Sequence, residues 1–201
     1  MGEIGYNETN LKKLLKSRNF WENVVIIFLA VVLFIGLRLT IQTYVVNGPS
    51  MESNYWNDEW IIVNKLAYKL HAPQRGDIIV FQPPVSSNKP FIKRIIGLPG
   101  ESVEMRDGTV YIHKTDGSVI TLQEPYIKEP FSTTYTSSVI PENEYFVMGD
   151  NRNDSTDSRY GWFASRDKII GEALISIWPP RLWGLAPTYR QPAKVSTTTG
   201  N

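Results

Sequence analysis

The sequence of 201 residues contains no cysteine and only two histidines, His71 and His113. Disulfides and thiolate chemistry are therefore excluded, and we expect no zinc site, because structural zinc usually takes several Cys or His ligands at short spacing. The formal net charge of +1 provides no broad basic field, so no nucleic-acid partner is expected. The length suits one good-sized domain, or one domain with an anchor and a small insert. We expect a monomer that uses no cofactor.

A long apolar run near the N-terminus predicts a membrane anchor. Residues 24–37 carry no charge, and apolar residues on both sides bring the stretch to the ~20 residues that cross a bilayer. A buried core helix would show a polar face, and a cleavable signal peptide would be followed by a small-x-small site. Neither feature is present, so we predict a retained transmembrane helix at residues 21–42 after a cytoplasmic segment at 1–20.

The basic residues around this run predict its orientation. Four of them lie between positions 12 and 18, whereas none occurs between Arg38 and Lys65. By the positive-inside rule the N-terminus is cytoplasmic, and residues 43–185 form a domain on the outer face of the cell membrane. We expect residues 11–20 to form a short interfacial helix and residues 186–201 to form a flexible tail.

Beyond the anchor the pattern becomes that of β-strands. The segments are short, rich in β-branched and aromatic residues, and bounded by Gly, Pro, Asn or Asp. Without helical segments of 10–15 residues between the strands, βαβ units are disfavoured. We predict a mainly β fold, in which an antiparallel β-sheet domain carries a small inserted β subdomain at residues 101–140. The predicted strands are Trp60–Val63, Asp77–Phe81, Phe91–Ile96, Ser102–Met105, Thr109–His113, Ser118–Leu122, Glu144–Met148 and Ile169–Trp178.

Two smaller expectations concern the flanks of these strands. Residues 64–70 have the composition of one short helix. Near the end of the sequence, Trp183 and Leu185 are expected to pack on the core, and contact with a membrane surface is the alternative.

The first of three chemically distinctive segments is a Gly-Pro turn that carries Ser50. Gly48 permits a backbone conformation closed to other residues, and Pro49 fixes the next φ. Such a rigid turn can display a hydroxyl and a backbone N–H on the same side, so that one residue supplies both a nucleophile and an oxyanion donor. An ordinary turn with an incidental serine is the alternative.

The second segment is the strand that contains Lys93 and Arg94. Adjacent residues of a strand face opposite sides, so at least one of these cations points at an apolar surface. Burial disfavours the ammonium and lowers the pKa of a lysine, which makes it a usable general base. An edge strand with a basic rim would have the same composition.

The third segment, Gly149–Arg159, consists mostly of Asp, Asn, Ser and Arg. A solvated loop would also have this composition. However, the segment lies between two apolar stretches, which indicates an ordered and partly buried turn whose polar groups pair with one another.

Together these segments resemble the type I signal peptidase family. GPSM at 48–51 is similar to its nucleophile motif, FIKRIIGLPGE at 91–101 to its lysine motif, and GDNRNDSTDSR at 149–159 to its polar loop. IIVNKLAY at 61–68 and RGDIIVF at 75–81 also fit the family. The resemblance runs from the anchor to about Trp178.

This resemblance implies a membrane-bound serine endopeptidase that removes N-terminal signal peptides from exported preproteins, after small residues at positions −1 and −3. Ser50 would be the nucleophile and neutral Lys93 the general base, with the Ser50 backbone N–H at the oxyanion. Ser155 would orient Lys93. The other residues implied to support the site are Gly149, Asp150, Asn151, Arg152, Asp157 and Arg159.

The sequence also departs from the family pattern beside the nucleophile. The family often follows Ser-Met with one residue and then Pro-Thr, whereas this chain has Glu52–Tyr55. A non-catalytic membrane-anchored scaffold is therefore one alternative. The others are a self-cleaving Ser/Lys repressor protease and a Ser-His-Asp hydrolase that uses His71 or His113.

Overall fold

The computed structural model describes residues 18–187 and Tyr189. Residues 1–17 of the predicted cytoplasmic segment, including most of the predicted interfacial helix, lie outside the described residues, and so does most of the predicted tail. The chain divides into two compact units at Thr40, and each is considered by itself below.

The first unit contains the apolar helix α1, Arg18–Thr40. At 1.5 Å per residue its 23 residues extend over about 34 Å, and its length and composition are sufficient to cross a membrane. The Thr40 hydroxyl donates to the Leu37 carbonyl at 3.0 Å where the helix ends. Residues 41 and 42, which the sequence placed in the span, instead pair in a β-strand with Asn64 and Val63.

The second unit is built from antiparallel strands and a short helix, α2, Ala67–Leu70. In the described part of the chain the strands are β1 Ile41–Val45, β2 Trp60–Asn64, β3 Ile78–Phe81, β4 Phe91–Gly97, β5 Ser102–Arg106, β6 Thr109–His113, β7 Val119–Thr121, β8 Tyr135–Thr136, β9 Glu144–Met148, β10 Ala164–Ser165, β11 Ile169–Trp178 and β12 Gly184–Leu185.

These strands form two sheets, which confirms the predicted mainly β fold with an inserted subdomain. The larger sheet has the order β1-β2-β11-β3-β4-β9-β10, and β12 pairs with β11. The smaller sheet, β7-β6-β5-β8, lies between β4 and β9 in the sequence. Its first hairpin turns at Asp107 and Gly108, whose positive φ angles of 50° and 71° are those of a two-residue hairpin connection.

Both faces of the larger sheet are covered at its central strands, and this determines the surroundings of their side chains. Alternate residues of β3 enter different clusters, with Ile78 and Val80 in one and Ile79 and Phe81 in the other. A strand covered on both faces is apolar along its whole length. Its neighbour β4 is also buried from Ile92 onward, so Lys93 and Arg94 lie inside the protein.

The structure also corrects the expected packing of the chain after β11. Trp183 and Leu185 are 67% and 82% exposed rather than packed on the core. The reason is that β12 pairs with β11 at Ile175, which is itself an exposed position.

Candidate active site

Ser50 lies in a turn whose conformation depends on glycine. Gly48 has a φ of +88°, which side-chain-bearing residues rarely adopt, and its N–H donates to the Asn57 side chain at 2.8 Å. Met51 and Tyr55 are fully buried, so they anchor the far side of the turn in the core. The turn thereby holds the half-buried Ser50 in one place.

Lys93 approaches Ser50 from strand β4. Its Nζ donates to Ser50 Oγ at 2.6 Å and to the Ile92 carbonyl at 3.0 Å. The residue is only 4% exposed. The two residues predicted to form the dyad are therefore in direct contact, although 43 positions separate them in the sequence.

The pKa of Lys93 is lowered from 10.5 to about 8, chiefly because burial disfavours its charged form. The negative charges of Asp157 and Asp150 oppose this shift, and the positive charge of Arg159 adds to it. A lysine with this pKa carries a free lone pair in about one molecule in ten at pH 7, against roughly one in 3,000 at the ordinary value. The amine can thus accept a proton from Ser50.

Arg94 points to the opposite side of β4 and is completely buried. Its Nε and Nη2 donate to the two carboxylate oxygens of Asp150 at 2.8 and 2.7 Å. Its Nη1 donates to the Gly76 and Pro187 carbonyls at 2.9 and 2.8 Å, and its guanidinium carbon lies 4.0 Å from the centre of the Tyr126 ring. Four of the five N–H donors of this buried cation are thus paired, and its two charge-assisted hydrogen bonds fix Asp150.

Two further buried ion pairs brace the polar loop. Asp157 accepts hydrogen bonds from Arg159 Nε and Nη2 at 2.8 and 2.9 Å. Burial alone would raise the pKa of Asp157, but the hydrogen bonds and charge of Arg159 lower it, so the carboxylate is ionised. Arg152, which is also buried, pairs with Glu124 and donates to the Gly149 carbonyl at 3.1 Å.

Gly149 brings the polar loop against the nucleophile turn. A β-carbon at this position would lie 2.3 Å from both Ser155 Oγ and the Ser50 carbonyl oxygen. The next contact along the loop is a hydrogen bond from the Asn151 N–H to the same Ser50 carbonyl, at 3.0 Å. Ser155 Oγ is buried. Its hydroxyl helps to lower the pKa of Asp157, although no hydrogen bond of standard geometry joins it to a described residue.

Sequence reasoning missed three residues of this site: Asn54, Glu124 and Tyr126. Glu124 and Tyr126 come from the segment that follows β7, and they contact Arg152 and Arg94 respectively. Nothing in their local sequence distinguishes them from surface positions. The only available signal was that the buried cations of the polar loop need partners of opposite charge.

The contact between Ser50 and Lys93 lies in a cleft of about 200 Å³. Neither His71 nor His113 is among its lining residues. His113 instead interacts with Glu104 on the smaller sheet, at 2.7 Å. The Ser-His-Asp alternative therefore has no geometric support, whereas the Ser50 hydroxyl and the Lys93 amine are in hydrogen-bond contact.

Comparisons with known proteins assign the chain to a family. The sequence model of the family described as "Signal peptidase, peptidase S26" matches residues 20–178. The chain therefore belongs to this family, whose members named signal peptidase I are serine endopeptidases. This confirms the family resemblance found in the sequence motifs, and the apolar helix α1 fits a membrane anchor.

Individual relatives agree with this assignment. The protein named "Probable signal peptidase I-2" of Synechocystis sp. is 38% identical, over 90% of this chain and 85% of its own. Signal peptidase I of Leptolyngbya laminosa is 37% identical over 83% and 84% of the two chains, and signal peptidase IB of Staphylococcus aureus is 32% identical over 74% and 84%. A crystal structure of a signal peptidase I from Enterococcus faecalis aligns with 50% of this chain and 95% of its own, at 38% identity and a TM-score of 0.44.

Proposed function

We propose that this chain is a membrane-bound serine endopeptidase that removes N-terminal signal peptides from exported preproteins. The observation that carries the proposal is the 2.6 Å contact between Lys93 Nζ and Ser50 Oγ. It joins a buried amine of lowered pKa to a hydroxyl in an open cleft, which is the arrangement that activates a serine. The names of the relatives support signal peptides as the substrate class.

In the proposed reaction, neutral Lys93 accepts the Ser50 hydroxyl proton while Oγ attacks the scissile carbonyl carbon. The carbonyl electrons move to the oxygen, where the Ser50 N–H donates a hydrogen bond worth about 3 kcal/mol of the barrier. Lys93 then protonates the departing amine of the mature protein, and the signal peptide remains as an ester on Oγ. A water attacks this ester as Lys93 takes its proton, which is returned to Ser50.

We propose that Ser155 orients Lys93 when the lysine carries the proton. An ammonium has three N–H donors, and in the structure Ser50 Oγ and the Ile92 carbonyl use two of them. The buried Ser155 hydroxyl can accept the third. The ion pair between Asp157 and Arg159 supports this role, because Arg159 also donates to the Ser155 carbonyl, at 3.5 Å.

The cleft supports cleavage after small residues at positions −1 and −3. Its walls include the branched side chains of Val46, Ile61, Val80 and Ile92, and these leave little space for a bulky group. Among the described strands, β9 pairs with β4 only from Arg94 onward. The backbone before Arg94 can therefore pair with an extended peptide, which gives affinity without demanding a particular sequence.

A matched pair of substrates tests this proposal. Purified protein in detergent is expected to cut a preprotein with an Ala-x-Ala site, without inhibition by EDTA. The same preprotein with Phe at position −1 is expected to be cut about 10- to 100-fold more slowly, because overfilling a packed pocket costs roughly 1–3 kcal/mol. Mass spectrometry of the products locates the cut. Absence of cleavage under all conditions would support the non-catalytic scaffold, and equal rates for the two substrates would contradict the small-residue specificity.

The lowered pKa of Lys93 predicts the pH dependence of this reaction. Only the neutral amine is a base, so kcat/KM should rise about tenfold per pH unit below the pKa and level off above it. The expected midpoint is about pH 8. Initial rates between pH 6 and pH 10.5 would give this profile. A midpoint above pH 10 would contradict a general base of lowered pKa.

We propose that the chain is a single-pass membrane protein with the catalytic unit on the outer face, because the basic residues that precede α1 favour the cytoplasm. The exposed side chains at one end of the larger sheet support contact with lipid. Trp60 pairs with Val45 on β1 and with Trp178 on β11, and all three are about half exposed. Exposed tryptophans of this kind suit the headgroup region of a bilayer.

A further inference from the structure

The structure assigns a positioning role to Asn54, which holds the nucleophile turn against the polar loop and so sets where Ser50 lies relative to Lys93. This inference rests on the Ser/Lys chemistry proposed above. Asn54 belongs to Glu52–Tyr55, the stretch in which the sequence departs from the family pattern. At least one residue of this divergent stretch therefore has a structural role.

The backbone of this stretch takes a left-handed conformation at Ser53. Ser53 has a φ of +83°. The family often has proline at this position, three residues after the serine, and the φ of proline is fixed near −65°. The turn is closed by hydrogen bonds from the Asn54 and Tyr55 N–H groups to the Met51 carbonyl, at 3.1 and 2.8 Å. This conformation, together with buried Met51 and Tyr55, directs the Asn54 side chain to the polar loop.

The Asn54 side-chain amide uses both of its N–H donors to bind residues outside the nucleophile turn. One donates to Asp150 Oδ2 at 2.8 Å and the other to the Tyr126 carbonyl at 3.0 Å. Asp150 is itself fixed by its two hydrogen bonds from buried Arg94. Asn54 therefore ties the nucleophile turn to one of the most rigidly held side chains in the site.

These contacts close a ring that returns to Ser50. The turn runs from Ser50 to Asn54, the Asn54 amide binds Asp150, and the N–H of the next residue, Asn151, donates to the Ser50 carbonyl at 3.0 Å. Ser50 is thus held from both ends of the turn. Without the Asn54 contact the polar loop is hydrogen-bonded to the turn only through Asn151, and the turn can shift relative to Lys93.

The chemistry of the amide also suits its electrostatic setting. The charged groups that act on Lys93 are Asp157, Asp150 and Arg159, and the two carboxylates raise its pKa. A neutral donor at position 54 satisfies Asp150 without adding to this negative charge. A carboxylate there would repel Asp150 and raise the pKa of Lys93 further.

The substitution Asn54→Ala tests the positioning role. We expect kcat for an Ala-x-Ala preprotein to fall about 10- to 100-fold, the size of effect that a displacement of about 1 Å produces, while KM stays within about twofold. Asn153→Ala is the matched control, because the Asn153 amide joins the loop to the segment that follows β7, through the Pro130 carbonyl at 3.1 Å, but does not contact the nucleophile turn. We expect the control to keep the wild-type kcat.

The isosteric substitution Asn54→Asp adds a readout that loose packing would not change. It removes both donors, so kcat should fall as in Asn54→Ala. In addition, the midpoint of the pH profile of kcat/KM should move to higher pH. An unchanged midpoint together with wild-type kcat would overturn the inference.

Ser50→Ala in the same assay separates this inference from the function it rests on. Wild-type kcat in Asn54→Ala, with Ser50→Ala inactive, would overturn the positioning role and leave the proposed function intact. Equal losses in Asn54→Ala and Asn153→Ala would also overturn it, because they would reflect general loosening of the loop. Activity that survives in Ser50→Ala would overturn the proposed function itself.

Discussion

Replacement of Lys93 by methionine is expected to lower kcat by a factor on the order of 10⁴ or more, because the loss of one member of a catalytic unit removes most of its effect. Methionine has a similar length and is apolar, so it fits the buried position without an unpaired charge. It has no lone pair basic enough to take the Ser50 proton. Ser50→Ala should cause a loss of the same order, and single-turnover cleavage of an Ala-x-Ala preprotein measures both.

The double variant shows whether the two residues act as one unit. If they do, Lys93→Met combined with Ser50→Ala should be no worse than either single variant. Lys114→Met is the control at a partly exposed lysine in the turn between β6 and β7 and should keep the wild-type rate. Thermal unfolding should occur at nearly the same temperature in all variants. Substantial activity in Lys93→Met would show that the general base is another group.

Gly149→Ala is expected to lower kcat about 100-fold or more, although Gly149 itself takes no part in the chemistry. The added β-carbon would lie 2.3 Å from Ser155 Oγ and from the Ser50 carbonyl oxygen. A side chain can rotate away, but the Ser50 carbonyl belongs to the backbone, so the nucleophile turn must shift. Displacements of about 1 Å in a catalytic group cost about two orders of magnitude in rate.

Gly184→Ala is the matched control for this substitution. An added β-carbon there would meet only the Leu182 carbonyl oxygen, at 4.0 Å. Neither glycine has a positive φ, so backbone strain does not distinguish the two substitutions. We expect wild-type kcat in Gly184→Ala and a lower unfolding temperature in Gly149→Ala alone, since overpacking costs about 1–3 kcal/mol. Wild-type kcat in Gly149→Ala would show that the close approach of loop and turn does not set the position of Ser50.

The sequence predicted the fold well wherever the pattern is local. Strands such as β4 and β9 are apolar runs bounded by turn residues, and the hairpin at Asp107 is encoded by two adjacent residues. The strands it missed are β1, β8, β10 and β12. Three of these have only two residues in the structure, and β1 follows directly on an apolar helix, where composition does not mark the change.

The candidate site was predictable to the extent that its motifs are contiguous. The Gly-Pro turn, the strand of Lys93 and the polar loop were each recognised separately. Asn54, Glu124 and Tyr126 were not, because their roles depend on partners far away in the sequence. Asn54, for example, binds Asp150 across 96 positions.

The apolar helix, the mainly β architecture and the candidates Ser50 and Lys93 can all be recognised in the amino-acid sequence. Those features follow from hydrophobic pattern and turn chemistry, which act over a few residues. The burial of Lys93, its pKa of about 8 and its distance of 2.6 Å from Ser50 depend instead on the three-dimensional fold. The fold also decides which partners hold the polar loop in place. Burial and contact depend on how distant strands pack, and it is this packing that turns an ordinary lysine into a possible base.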